Sequence, residues 1–279
     1  MNKKSTLRVL AATTLLLVAG MCPSIGFAQT NYELFIAGTQ ITSENAENLT
    51  GEWLKSGEVS FDNTTNTLTL KDAVIEAKED DNGIKSGMKN LTIRLEGNNS
   101  IKSVHGIGIY NDANGNMTIT GDSLKVETEQ QSAMFTGYDS KLTITNCRIG
   151  AKGLWGITGV TGMKNEQLII KNAAVNAYGK YLTIGELANV ELDNSLLIAP
   201  KNAKWNSEYH SFCIQNEPIG KRTIVIKPDI DNGIAQLNTP EQTTTKEIYD
   251  LSGRKIKKLK RGINIVRSSN GKTNKTILR

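Results

Sequence analysis

Two apolar residues separated by a single position recur along this chain as Leu68/Leu70, Leu91/Ile93, Met117/Ile119, Leu142/Ile144, Leu168/Ile170 and Val190/Leu192, at steps of 23, 26, 25, 26 and 22 residues. Each pair flanks one residue of opposite aspect (Thr69, Thr92, Thr118, Thr143, Ile169 and Glu191), which is the alternation of a strand with one side against a core. A period of roughly 20 to 30 residues built from short strands and Gly/Asn turns specifies a solenoid, because a single coil cannot bury its apolar face and must be covered by the next.

A second register supports the repeat. Two residues after the second apolar position stand Asp72, Gly121, Asn146, Asn172 and Asn194, and Ala73, Cys147, Ala173 and Ser195 follow in four of these coils. Asn, Asp and Gly tolerate left-handed backbone, so stacking them makes a corner, and a small neighbour fits its interior. A second strand then begins at Ile75, Ile149, Val175 and Leu197, and a third is expected at Ile84, Ile107, Ala133, Thr158 and Ile184. Arg94, Leu95 and Glu96 stand where the second coil should carry its corner residue, which predicts a bulged or displaced corner there. The expected fold is therefore all-β, a right-handed parallel β-helix of about six coils with end caps. Its handedness follows from the rule for parallel crossovers. Six coils stacked at about 4.8 Å make a rod of roughly 25 to 30 Å.

Residues 1–28 have the form of a cleavable signal peptide: Lys3, Lys4 and Arg8, an apolar run from Val9 to Ala19, and Gly26-Phe27-Ala28 at the cleavage site. Cys22 raises lipidation, but Met21 before it is too large for a lipoprotein signal. No other apolar stretch approaches a membrane span, so no transmembrane segment is expected in the mature chain, which the signal peptide assigns to export. The net charge of +5 is unevenly placed: residues 246–279 carry 11 basic and 2 acidic residues, whereas residues 29–245 carry 19 basic and 26 acidic. Nucleic acid is not an expected partner, because that needs a basic stripe on a folded surface. An exported chain can oxidise Cys147 and Cys213, but Cys147 holds an inward position filled elsewhere by Ala or Ser, which favours a buried free thiol; His105 and His210 carry no metal-ligand spacing.

The organisation expected is an N-terminal cap at 29–56, the β-helix with its C-terminal cap at 57–227, a linker at 228–245, and a small β-sandwich-like domain at 246–279. In the first cap, Tyr32, Leu34 and Ile36 alternate as an entry strand, and Thr42-Ser43 is placed to cap a short helix through Ala46 and Leu49. Trp53 and Trp205 are assigned to cap packing.

Two resemblances follow. The tail, with Tyr249-Asp250-Leu251-Ser252-Gly253-Arg254, Gly262-Ile263-Asn264-Ile265-Val266 and Lys275-Thr276-Ile277-Leu278, resembles the C-terminal sorting domain of type IX secretion in Bacteroidota. That resemblance implies export across the outer membrane, to secretion or the outer-membrane surface, with the type IX machinery as a partner. The body resembles a family of secreted bacterial carbohydrate-binding proteins that includes a cellulosome-associated parallel β-helix. This likeness rests on Tyr32-Glu33-Leu34-Phe35-Ile36-Ala37-Gly38, on Ile41-Thr42 with Asn45, on Val59-Ser60-Phe61-Asp62 with Asn66-Thr67-Leu68-Thr69-Leu70, and on Leu91-Thr92-Ile93 with Leu95-Glu96-Gly97-Asn98-Asn99.

Glycan binding asks for exposed aromatic rings that stack on a pyranose, beside amides and carboxylates that take its hydroxyls. Trp155 lies 13 residues after Leu142 and Tyr181 lies 13 after Leu168, so they are expected one above the other. Tyr178 would flank them, and Tyr138 enters the Trp155 coil. The same spacing suits an aromatic stack that seals a corner of the coil or lies inside it, since Leu154-Trp155-Gly156-Ile157 also permits an inward ring. Calcium, if it binds, is assigned to Asp80 and Asp81 in the acidic run Glu79-Asp80-Asp81-Asn82. A lyase would need a basic residue held near a calcium cluster and a glycosidase two carboxylates facing one groove, for which Glu127 and Glu129, alternating with Thr128, can share a face with Asp122 or Lys152 on neighbouring coils. Outward charges on adjacent coils are ordinary on a solenoid, so the expected function is non-catalytic binding of polysaccharide. A surface adhesin or a purely structural solenoid is the alternative.

Overall fold

The computed structural model describes residues 29–229, 247–250, 252–256, 262–267 and 273–278. The expected signal peptide and nearly all of the expected linker lie outside these residues. The described chain divides after Pro228 into two units. Among the described residues every helix or strand is a strand.

The first unit opens with β1 (Asn31–Ile36), β2 (Thr39–Thr42) and β3 (Leu54–Asp62). The coils follow as β4 (Thr67–Glu76), β5 (Ile84–Ser86), β6 (Asn90–Ser103), β7 (Ile109–Asn111), β8 (Asn116–Thr128), β9 (Ser132–Thr136), β10 (Lys141–Thr145), β11 (Arg148–Thr158), β12 (Gln167–Lys171), β13 (Ala174–Gly185) and β14 (Asn189–Asp193). The unit closes with β15 (Ser195–Ala199), β16 (Lys204–Asn206), β17 (Ser211–Ile214), β18 (Glu217–Pro218) and β19 (Ile224–Pro228).

These strands stack in three parallel ladders. The first runs through β4, β6, β8, β10, β12 and β14. The second uses the later halves of β4, β6 and β8, then the earlier halves of β11 and β13. The third runs through β5, β7, β9 and the ends of β11 and β13. The result is a parallel β-solenoid of about five turns. The six apolar pairs are six rungs of the first ladder, but the rung at β14 is not followed by another coil. Instead β15 turns to pair antiparallel with β19, so about five turns stand where about six coils were expected.

Both ends are closed by antiparallel strands. β3 covers β4 along the first two ladders and β1 covers β5 on the third. At the far end β19 covers β13 on the second ladder and β17 covers it on the third. An antiparallel strand satisfies the edge groups without continuing the helical path, which is what a solenoid terminus needs. Trp53 is 5 % exposed and its indole N–H donates to Thr39 Oγ1 at 3.1 Å. Trp205 packs edge-on against Phe212 at 5.5 Å.

The interior is a stack of the repeated apolar residues. Leu142, Ile144, Leu168 and Ile170 pair in register and are each 1 % exposed or less. The corner after the first ladder is held by Asp72, Gly97, Gly121, Asn146, Asn172 and Asn194, at φ of 46, 71, 114, 50, 46 and 47°. Gly97 is the member that the repeat did not reveal. Leu68 and Leu70 pair with Ile93 and Leu95, not with Leu91 and Ile93, and Leu91 instead meets Met117. The second coil thus adds an inward residue to its first strand, and its corner moves to Gly97. Asp72 accepts the Asn98 N–H at 2.9 Å and Asp122 accepts the Gly97 N–H at 2.8 Å, while buried Asn99 accepts the Ala73 N–H at 2.8 Å. The same two-residue offset moves the third strand, where Ile84 pairs with Ile109 rather than with the expected Ile107. In later coils Met134 and Ile157 hold the register expected for Ala133 and Thr158.

The short helix expected after Thr42 is a run of turns. Asn45 Oδ1 accepts the Thr42 N–H at 2.8 Å, and the Ala46 N–H reaches the Thr42 carbonyl at 3.1 Å. A segment this brief cannot repay helix nucleation, and Asn side chains favour local turns. Cys147 and Cys213 are both buried and free. Burial pushes the Cys147 thiol up to about 12, which leaves it almost without thiolate at neutral pH.

In the second unit β20 (Glu247–Tyr249), β21 (Lys255–Ile256), β22 (Gly262–Arg267) and β23 (Thr273–Leu278) form one antiparallel sheet in the order β21-β20-β22-β23. The described residues give one layer, not the two of the expected sandwich. Asp250 accepts the N–H of Ser252 and of Arg254, each at 3.0 Å, and the Ser252 hydroxyl at 2.6 Å. These bonds hold its carboxyl down at about 2.

Candidate functional site

The outward side of the second ladder is a regular grid. Pleating sends Ile149 and Ala151 into the core and leaves Arg148, Gly150 and Lys152 outward on β11. Parallel register places Ser123, Lys125 and Glu127 beside them on β8, and Ala174, Asn176 and Tyr178 on β13. β6 adds Asn98, Ser100 and Lys102. The charges at one side of the grid alternate: Lys125 and Lys152 approach Glu127 at 3.0 and 4.0 Å, and Lys102 approaches Glu129 at 3.8 Å. Both glutamates considered for catalysis are therefore held in ion pairs. Asp122 is turned to the Gly97 N–H at the corner.

Beyond Lys152 and Tyr178 the chain bends from the second ladder into the third. The bend carries a register irregularity between Gly153 and Trp155, so Trp155 pairs with Leu182 and not with Tyr181. Its ring nevertheless meets that of Tyr181, with centroids 5.2 Å apart and planes at 53°. Tyr181 is 56 % exposed, Trp155 is partly buried behind it, and Lys180 Nζ lies 5.6 Å from the Tyr181 centroid. An open cavity of about 470 Å³ adjoins this bend, lined by Lys102, Glu127, Lys152, Leu154, Tyr178 and Lys180 among others. Tyr178 thus forms its wall, and Lys180 links it to the aromatic pair. Tyr138 is 46 % exposed but sits between β9 and β10, at the bend from the third ladder to the first, so the fold does not bring it to the other three.

Asp80 and Asp81 lie in the loop after β4. Asp80 contacts His105 Nδ1 at 3.3 Å, and Asp81 sits against Gly38 of the first cap. Among the described residues no three His, Cys, Asp or Glu side chains converge on a metal-sized site, whereas calcium takes about six to eight oxygens. His210 packs on Gly162 with Nδ1 buried and without a hydrogen-bond partner.

One further pair of carboxylates lies near the far end. Glu166 is fully buried and accepts the N–H groups of Thr161 at 3.2 Å and Lys164 at 2.9 Å. Burial, and then the charge of Glu166, pushes the Glu186 carboxyl above its ordinary 4.5. The folded state thus holds that proton more tightly than the unfolded chain. The resulting stabilisation is complete below the unfolded value and is lost as pH rises through the folded one. Glu186→Gln is expected to raise the melting temperature at neutral pH, with the gain disappearing below about pH 4.5. A gain that stays constant from acid to neutral pH would rule out this cause.

Among the described residues no helix is long and apolar enough to cross a membrane. No family model matches the chain, no curated protein matches it, and no solved structure matches its fold.

Proposed function

We propose that this protein is an exported, non-catalytic glycan-binding protein of the cell surface. Its solenoid would present the Trp155–Tyr181 corner to a polysaccharide, and its C-terminal sheet would serve as the sorting signal read by type IX secretion machinery. The single observation that carries this reading is an exposed tyrosine ring braced by a tryptophan beside an open cavity of ammonium, carboxylate and phenol groups. A pyranose offers C–H groups to such rings and hydroxyls to such polar groups. The reading takes the solenoid as right-handed, by the crossover rule, and the tail sheet as one layer of a small sandwich. Calcium on Asp80 and Asp81 would have to draw its remaining oxygens from backbone carbonyls and water.

The test is affinity electrophoresis of the purified protein through gels containing dextran, hydroxyethyl cellulose, alginate or dextran sulfate, with calcium or chelator. One polymer is expected to retard the wild type, and Trp155→Ala/Tyr181→Ala to lose most of that retardation while melting as a folded protein. Retardation unchanged by the double substitution removes the aromatic site. No retardation in any gel shifts the reading to an adhesin or structural solenoid.

A further inference from the structure

Among the described glycines that lie within strands of the solenoid, Gly150 is the one without an internal reason to be glycine. Each of the other within-strand glycines has φ in the left-handed region or would put a Cβ within 3.0 Å of a neighbour. A Cβ at Gly150 would meet nothing nearer than Lys125 Cγ at 3.7 Å. The residue lies mid-strand in unbroken register between Lys125 and Asn176. A glycine there costs the strand side-chain packing and backbone entropy, and such glycines mark places where a ligand or another chain comes close. The space it leaves is an open cavity of about 440 Å³, rimmed by Arg148, Lys125, Asn98, Ser123, Ser100 and Asn176.

We infer that the outward face of the second ladder is a glycan subsite, floored by Gly150, along which an oligosaccharide runs parallel to the strands from Arg148 toward Tyr178 and the aromatic corner. This rests on the glycan-binding reading above and extends it to residues outside the aromatic pair. From Arg148 to Lys152 the strand covers roughly 13 Å, a length suited to several linked sugars rather than one. The floor is flat because Gly150 lacks a side chain, so a ring can lie against the pleat. Its hydroxyls then reach the amides of Asn98 and Asn176 and the hydroxyls of Ser100 and Ser123. Arg148, for which no ion pair is formed among the described residues, supplies planar donors at the far end. Lys125 is held at the rim by Glu127 at 3.0 Å.

The test runs Gly150→Val through the dextran, hydroxyethyl cellulose, alginate and dextran sulfate gels beside the wild type and Trp155→Ala/Tyr181→Ala. Valine suits an outward strand position, so the melting temperature is expected to hold or rise. Its methyl groups fill the floor, and affinity for the retarding polymer is expected to fall about tenfold or more. Arg148→Gln/Asn176→Ala, which leaves the floor open, is expected to weaken retardation less, and it decides by the same readout if Gly150→Val does not fold. Wild-type retardation by Gly150→Val, with loss only in the aromatic variant, overturns the second-ladder subsite and leaves the aromatic reading standing. Absence of wild-type retardation in every gel overturns both.

Discussion

Gly179→Ala is expected to lower stability by roughly 3 kcal/mol or more, a size confined to backbone strain and core defects. Gly179 pairs with Gly153 in the bend between the second and third ladders. Its N–H faces Thr183 Oγ1 at 3.3 Å and its carbonyl accepts the Lys221 N–H at 2.8 Å. A methyl there would overlap the Leu182 carbonyl, which is main chain and cannot rotate away. Relief requires the bend itself to open, and Tyr178 and Tyr181 flank it on either side. Thermal melting should show the loss, and near-ultraviolet circular dichroism should show the Trp155–Tyr181 pair disturbed below the melt. A variant that melts with the wild type and keeps that signal would mean that the bend is slack.

Ile144→Ala is expected to cost about 2–5 kcal/mol in urea unfolding, the range for truncating a buried branched residue with little collapse of the site. Ile144 is fully buried and stacks between Ile119 and Ile170 on adjacent rungs. In a structure stabilised by nearest-neighbour interfaces a hole in a middle coil weakens two interfaces at once. Val190 lies on the last rung, is partly exposed and has a coil on one side only. Val190→Ala should therefore cost clearly less. Equal losses at the two positions would show that stability is not distributed coil by coil.

The repeat was legible because stacking requires the same chemistry at the same place in each coil. Asp72, Gly121, Asn146, Asn172 and Asn194 are assigned to a left-handed corner by their place in the repeat and their residue type, and all five adopt positive φ. The second coil has the displaced corner that Arg94, Leu95 and Glu96 lead one to expect, but its register differs, for a definite reason. Leu91, Ile93 and Leu95 are all inward, and the sequence does not say which two of three alternating apolar residues continue the neighbouring pair. That choice is made by hydrogen bonds between coils, and a two-residue slip preserves the inward pattern. Trp155 illustrates a second limit, since the irregularity after Gly153 breaks the count that would set it beside Tyr181, and ring contact is restored by side-chain reach. Gly150 was invisible for the opposite reason: an outward position has no repeat to violate, and its meaning rests on the space around it.

The way the two ends close has a consequence for how such a chain can change over generations. β3 and β19 each lie antiparallel on a terminal coil. Neither closing strand pairs with an interior coil, so their pairing leaves the number of coils between them open. Duplication or loss of one segment, such as the 25 residues from Asn116 to Ser140, alters the stack by a whole step of about 4.8 Å and returns the chain to the same closing surface. Length along the axis is thus a counted quantity, adjustable by copying, while the chemistry displayed on each face is adjusted one outward residue at a time.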